Sequence, residues 1–88
     1  MTEKALFQAR ADILASALEA RKQEVMHYQI NIDNYTLALE RIALLNPDER
    51  AELSDFADQL RGLLASEKLE QKKSLIMLEV LKAQVEPA

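Results

Sequence analysis

Apolar residues recur every three or four positions through the first half of the chain. Counting from residue 7 in alternating steps of four and three gives twelve positions, ten of which are apolar or tyrosine. A repeat sustained over this length predicts a packed helix. The members are Phe7, Ala11, Leu14, Leu18, Arg21, Val25, Tyr28, Ile32, Tyr35, Leu39, Ile42 and Asn46.

One stretch inside this repeat also fits a strand. Residues 28–35 alternate between apolar and polar, and Asp33-Asn34 could turn a hairpin. An isolated two-stranded hairpin is marginally stable, and the heptad repeat continues straight through the stretch. We therefore predict helix here, although the pattern leaves open whether residues 27–36 form one continuous helix.

A clear boundary follows at Leu45-Asn46-Pro47. The Asn46 side chain can accept from free amides of a first helical turn. Proline suits the first helical position, and it disfavours helical geometry in the residue before it. The sequence therefore predicts a single domain over residues 1–88, with a helix at about 3–45, a turn at 46–47 and a helix at about 47–85.

The second segment begins with a candidate core series of Leu53, Phe56, Leu60 and Leu63, and turns polar over residues 66–73. If the chain folds back at residue 46, this polar stretch lies beside the polar residues 19–24. The apolar stretch Leu75–Leu81 then lies beside Leu14 and Leu18. Because the two segments match layer by layer, we predict an all-α fold, an antiparallel hairpin of two long helices.

A two-helix hairpin has one internal seam, yet both segments carry apolar residues beyond one stripe. Exposing them all would create a larger apolar patch than soluble monomers tolerate. We therefore expect self-association, as a homodimer forming a four-helix bundle or as a larger coiled-coil oligomer. Another protein could cover the same surface. The predicted interface residues are Met26, Ile30, Leu37, Leu44, Leu75, Ile76, Met77, Leu78, Val80 and Leu81.

Composition narrows the functional classes. The 88 residues are 49% apolar and 30% charged, carry a net charge of −4, and include no cysteine, one glycine and two prolines. Few turn residues favour long helices, and the lack of cysteine excludes disulfides and thiolate metal sites. Direct nucleic-acid binding is not expected without an excess of basic residues. No signal peptide or membrane-spanning run is recognisable, so we expect a cytoplasmic protein that does not bind a membrane.

The motif Glu24-x-x-His27 places a carboxylate and an imidazole on one helix face, as in ferritin-like di-iron sites. Glu67 and Glu70 fall at the same predicted level and could supply further ligands. Arg21 and Lys22 would oppose a dication, and short motifs often arise by chance. We therefore favour an ion-paired polar layer in which Arg21 meets Glu67 or Glu70, and expect no metal or other cofactor. A dimeric metal site is the alternative.

Acidic residues surround the start of the second helix. They complement the helix dipole and aid solubility. A second functional alternative is that they imitate phosphates and inhibit a nucleic-acid-binding protein. They are Asp48, Glu49, Glu52, Asp55 and Asp58.

No enzyme activity is expected, because one histidine and no cysteine or glycine-rich loop cannot form a triad or a phosphate cradle. The stretch from Met26 to Tyr35, with Leu37 to Ile42 after it, resembles small orphan helical proteins of bacteriophages and prophages. The resemblance implies an accessory or host-modulating protein that acts by binding. We predict a non-catalytic, self-associating protein–protein interaction module.

Overall fold

The computed structural model describes residues 2–85 and contains three helices. These are α1 (Glu3–Ala43), α2 (Pro47–Glu52) and α3 (Ser54–Val85). The two long helices, α1 and α3, pack side by side as a hairpin, and the molecule measures 71 × 19 × 16 Å. Over the described residues there is no strand. The all-α fold with two long helices in a hairpin is therefore confirmed.

Helix α1 runs without interruption through the stretch that also fitted a strand. The Thr2 hydroxyl caps its first turn by accepting from the Ala5 amide at 3.2 Å. Residues 27–36 are helical throughout, and the Thr36 hydroxyl donates to the Ile32 carbonyl oxygen at 2.8 Å. The heptad repeat therefore predicted the helix correctly, because only a helix lets these residues pack along one neighbour.

The connection between the long helices is longer than the predicted two-residue turn. Helix α1 ends at Ala43, and Asn46 caps α2 by accepting from the Glu49 amide at 2.9 Å. The predicted cap at Asn46 and the start at Pro47 are correct. However, α2 stops after six residues, and α3 starts at Ser54 after a break at Leu53. One short helix therefore belongs to the connection rather than to the hairpin.

The predicted seam of α1 is confirmed over most of its length. Every member of its heptad series from Leu14 to Ile42 is at least half-buried, and Ile32 is buried. Phe7 and Ala11 at one end and Asn46 at the other are exposed. The seam therefore occupies the part of α1 that has α3 beside it.

The predicted seam of α3 is wrong in two of its four members. Phe56 and Leu63 are 49% and 47% exposed, while the neighbouring Ala57 is buried and Leu64 is half-buried. Both series share Leu53 and Leu60, so the sequence offers two apolar stripes on adjacent sides of one helix. The observed seam is Leu53, Ala57, Leu60, Leu64, Glu67, Gln71, Ser74, Leu78 and Leu81.

The observed register also differs from the predicted one. Glu67 bonds to Asn31, and Gln71 donates to the Val25 carbonyl oxygen. The polar stretch 66–73 thus lies beside residues near 25–31, not beside residues 19–24 as predicted. The cause is α2, whose turn adds residues to the connection and moves each part of α3 towards the C-terminal end of α1.

Gly62 sits inside α3, where a Cβ atom would meet no other atom within 4 Å. Gly62→Ala should therefore raise the free energy of unfolding by about 0.5–1 kcal/mol, because glycine loses more backbone entropy in a helix than alanine does. Thermal unfolding followed by circular dichroism measures the change. Ala65→Gly, at an exposed position of the same helix, should lower stability by a similar amount. A destabilised Gly62→Ala protein would show that another chain packs closely there.

Candidate functional site

A polar layer interrupts the apolar seam near the middle of the hairpin. Asn31 Nδ2 donates to Glu67 Oε2 at 3.3 Å, so the two helices are joined by side chains at this level. Gln71 Nε2 lies 3.3 Å from the Val25 carbonyl oxygen and 2.9 Å from Gln29 Oε1. Polar groups inside a helix seam favour one register, because any shift would leave them without partners.

Glu24 is the most connected carboxylate of this layer. It accepts from Arg21 at 2.8 Å and from the Tyr28 hydroxyl at 3.3 Å. The predicted pairing of Arg21 with Glu67 or Glu70 is therefore incorrect. Glu24 lies one helical turn from Arg21 on the same helix, and a partner at that spacing is met without crossing the seam.

Partial burial raises the pKa of Tyr28 above its ordinary value, and the surrounding carboxylates raise it further. Among the carboxylates, Glu24 has the largest effect on this pKa, followed by Glu70 and Glu67. Each carboxylate disfavours the tyrosinate anion. The hydroxyl of Tyr28 therefore serves as a hydrogen-bond donor within the polar layer.

The structure does not bring the four candidate metal ligands together. Glu24, Glu67 and Glu70 approach Tyr28, but His27 is exposed and lines a shallow outer groove with Met26 and Ile30. Glu70 is paired with Lys73 at 2.9 Å. Across residues 2–85, no three His, Asp or Glu side chains are arranged to hold a metal ion. Within one chain, the four residues therefore do not form a common site.

Ser74 is the most buried polar residue of the seam, at 2% exposure. Its hydroxyl oxygen has no hydrogen-bond partner among the described residues. An unpaired buried hydroxyl lowers stability, since its hydrogen bond to water is lost on folding. Ser74 thus weakens the seam between the polar layer and the apolar residues Leu78 and Leu81.

Two of the acidic residues around α2, Glu49 and Asp58, contact residues three positions away in the sequence. Glu49 bonds to Asn46, the cap of α2, and Asp48 and Glu49 occupy the first turn of that helix. Asp55 lies in the first turn of α3, and Asp58 pairs with Arg61 at 2.7 Å. All five predicted rim residues, Glu52 included, are exposed. Helix capping and dipole compensation account for most of them.

Eight of the ten predicted interface residues have exposed side chains, at 39% to 84%. The exceptions are Leu78, which is buried, and Leu81, which is half-buried. Both belong to the seam of α3, because they continue its heptad series. They are therefore assigned to the hairpin core and not to a surface. The exposed members are Met26, Ile30, Leu37, Leu44, Leu75, Ile76, Met77 and Val80.

One apolar surface was not predicted from the sequence, because Phe56 and Leu63 were expected in the core and are instead exposed. These residues belong to a row of α3 that lies beside the seam. We call this row, together with the row of α1 on the same side of the seam, the apolar flank. Arg10 and Gln84 line a common groove, which places the two rows on the same side of the hairpin. The rows are Phe56, Leu63, Glu70, Met77 and Gln84 on α3, and Arg10, Ala17, Glu24, Asn31 and Ala38 on α1.

The opposite side of the seam, which we call the basic flank, has a different character. Ala43 of α1 lines a groove with Ser54 and Arg61 of α3. The row of α1 that contains Ala43 and the row of α3 that contains Ser54 and Arg61 therefore lie on one side of the hairpin. Three of the five residues of the α3 row are cations. The rows are Ser54, Arg61, Lys68, Leu75 and Lys82 on α3, and Lys22, Gln29, Thr36 and Ala43 on α1. Water therefore solvates this flank readily, in contrast to the apolar flank.

Comparison with known proteins identifies no relative. No protein-family model, curated protein or solved structure matches the chain. Within the described part of the chain, none of the helices combines the length and apolar character needed to cross a membrane.

Replacing Glu24 by Gln should lower the pKa of Tyr28 towards its ordinary value, because the nearest carboxylate charge is removed. Ultraviolet titration of tyrosinate measures this in a Tyr35→Phe background, where Tyr28 alone titrates. In the parent protein, the raised pKa means that the unfolded chain loses the proton first. Stability should therefore fall as pH rises above about 10. An unchanged titration curve in Glu24→Gln would contradict the assigned contact.

Replacing Ser74 by Ala should stabilise the protein, because the unpaired buried hydroxyl is removed. Ser66→Ala is the matched control, since Ser66 is exposed on the same helix and reports the difference in helix propensity alone. We expect Ser74→Ala to exceed Ser66→Ala by about 1 kcal/mol in free energy of unfolding. Urea denaturation measures both. Equal effects would show that the hydroxyl is satisfied in solution.

Proposed function

We propose that this protein is a non-catalytic interaction module that works as a self-associated helical hairpin. The observation that carries the proposal is the amount of surface left open. One chain exposes 6842 Å², whereas a compact monomer of 10.0 kDa exposes about 5,200 Å². The excess on one chain is about twice the area that each partner buries in a standard protein–protein interface, about 800 Å².

The composition of the open surface supports the same proposal. Only four apolar side chains of the described residues are buried: Ile32, Ala57, Leu60 and Leu78. Fifteen large apolar side chains are exposed over the same residues. Covering such side chains contributes roughly 25 cal/mol per Å² of apolar area. Association therefore supplies stabilisation that one seam cannot.

The elongated shape favours the same conclusion. The radius of gyration is 20.1 Å, against about 12 Å for a compact domain of this length. Packing another hairpin alongside would widen this rod and create a second layer of core. A four-helix bundle made from two hairpins is the simplest such arrangement.

A binding role also agrees with the chemistry of the polar layer. Its carboxylates are engaged by Arg21, Asn31 and Lys73, and its tyrosine is held in the protonated form. The bonds that cross the seam, Asn31 to Glu67 and Gln71 to Val25, favour one register of the hairpin. The resemblance to small phage and prophage proteins implies an accessory protein that acts by binding, which fits this proposal.

Sedimentation velocity tests the proposal directly. At micromolar concentration we expect a species of at least twice the 10.0 kDa chain mass, because the exposed apolar surface favours association. Adding salt should not dissociate it, since the surface is apolar rather than charged. A monodisperse monomer over the micromolar range would refute self-association.

A further inference from the structure

Resting on the proposed self-association, we propose that a second copy of this chain packs on the apolar flank in an antiparallel arrangement. The contact is isologous, with a two-fold axis near Glu70. Each α3 lies over the α3 of the other copy, running in the opposite direction. Leu63 of one copy then meets Met77 of the other.

The position of the axis follows from the spacing of residues along α3. Leu63 lies seven residues before Glu70, and Met77 lies seven residues after it. Seven residues of helix span about 10 Å, so a two-fold axis at Glu70 brings these side chains to the same level. They are 47% and 42% exposed, enough to interdigitate with a partner. The polar layers of the two copies then overlie each other.

The proposed two-fold axis places Phe56 of the second copy beside a groove at the open end of the first copy. Phe56 is fourteen residues from Glu70, as is Gln84 on the other side. Gln84 and Val85 line a groove of about 300 Å³ with Phe7, Arg10, Ala11 and Leu14 of α1. Phe56 is 49% exposed, and the groove is lined by Arg10 and Gln84 of the same flank. The apolar flank therefore carries both an aromatic side chain and a site of suitable size for it.

The charges on the two flanks also favour the apolar flank, rather than the basic flank, as the contact surface. The apolar flank carries two carboxylates, and each is already paired within its own helix: Glu24 with Arg21 and Glu70 with Lys73. Overlaying two such polar layers therefore does not oppose bare like charges. The basic flank would instead bring Arg61, Lys68 and Lys82 of both copies together, which is unfavourable.

The area of the proposed contact agrees with that of stable dimers. From the turn to Glu70 the hairpin extends about 24 Å, so the overlap of two copies about the axis is roughly 48 Å. With the molecular width of 16 to 19 Å, the shared footprint is roughly 800–900 Å² per copy. Stable interfaces bury about 800 Å² per partner.

Matched charge substitutions test the choice of face. Leu63→Glu should weaken dimerisation by about 100-fold or more, because two buried contacts per dimer are lost. Leu37→Glu is the control, since Leu37 is 57% exposed but lies on the outer face of α1. It should change the dissociation constant by no more than about twofold. Analytical ultracentrifugation of both variants gives the constants.

Engineered cysteines test the orientation without depending on a charge substitution. The native chain has no cysteine, so any disulfide comes from the introduced residues. Mixing Leu63→Cys chains with Met77→Cys chains under mild oxidation should give the hybrid disulfide, because the axis at Glu70 juxtaposes these positions. Mixing Leu63→Cys with Ala38→Cys reports the parallel arrangement, in which α3 lies over α1 of the other copy.

The charge substitutions and the disulfide experiment together distinguish the antiparallel contact from other modes of self-association. Loss of the dimer in Leu63→Glu together with the Leu63–Met77 hybrid supports the antiparallel contact. A hybrid with Ala38→Cys overturns the orientation, and dissociation by Leu37→Glu alone moves the interface to the outer face of α1. Both of those results leave self-association intact. A monomeric parent protein would instead overturn the proposed function, and the antiparallel dimer with it.

Discussion

Two helices that pack side by side share a single seam, and each can bury only one stripe of residues in it. In this protein that seam is long and narrow, and a polar layer crosses it between Asn31 and Glu67. Few apolar side chains are fully buried as a result. The proposed association follows from how little of the apolar surface this seam covers.

The polar layer and the apolar parts of the seam have different roles. Leu60 and Leu78 lie in apolar sections on either side of the layer and contribute burial. Gln71 and Asn31 contribute specificity, because their hydrogen bonds are made at one register only. The unpaired hydroxyl of Ser74 shows that the seam is not optimised for stability alone. A second copy covering the apolar flank would compensate for this weakness.

The two long helices were predictable from the sequence, but the short helix between them was not, and their relative placement was only partly so. The heptad repeat specified α1, and Asn46-Pro47 specified the start of α2, since both signals are local. The short helix α2 shifts the register of α3 against α1. This shift was not predicted, because no local signal in the sequence marks the break at Leu53. Phe56 and Leu63 were misassigned since the two stripes of α3 share Leu53 and Leu60. The observed stripe of α3 continues through the polar residues Gln71 and Ser74. A search for apolar residues alone does not find it.

Under the proposed self-association, the contact between copies as well as the seam holds the hairpin in its folded form. The dependence of the unfolding midpoint on protein concentration tests this most directly. If dimers unfold to separated chains, a tenfold rise in concentration should stabilise the fold by about 1.4 kcal/mol, and the midpoint temperature should rise with it. A midpoint that stays constant over a hundredfold range of concentration would contradict the claim.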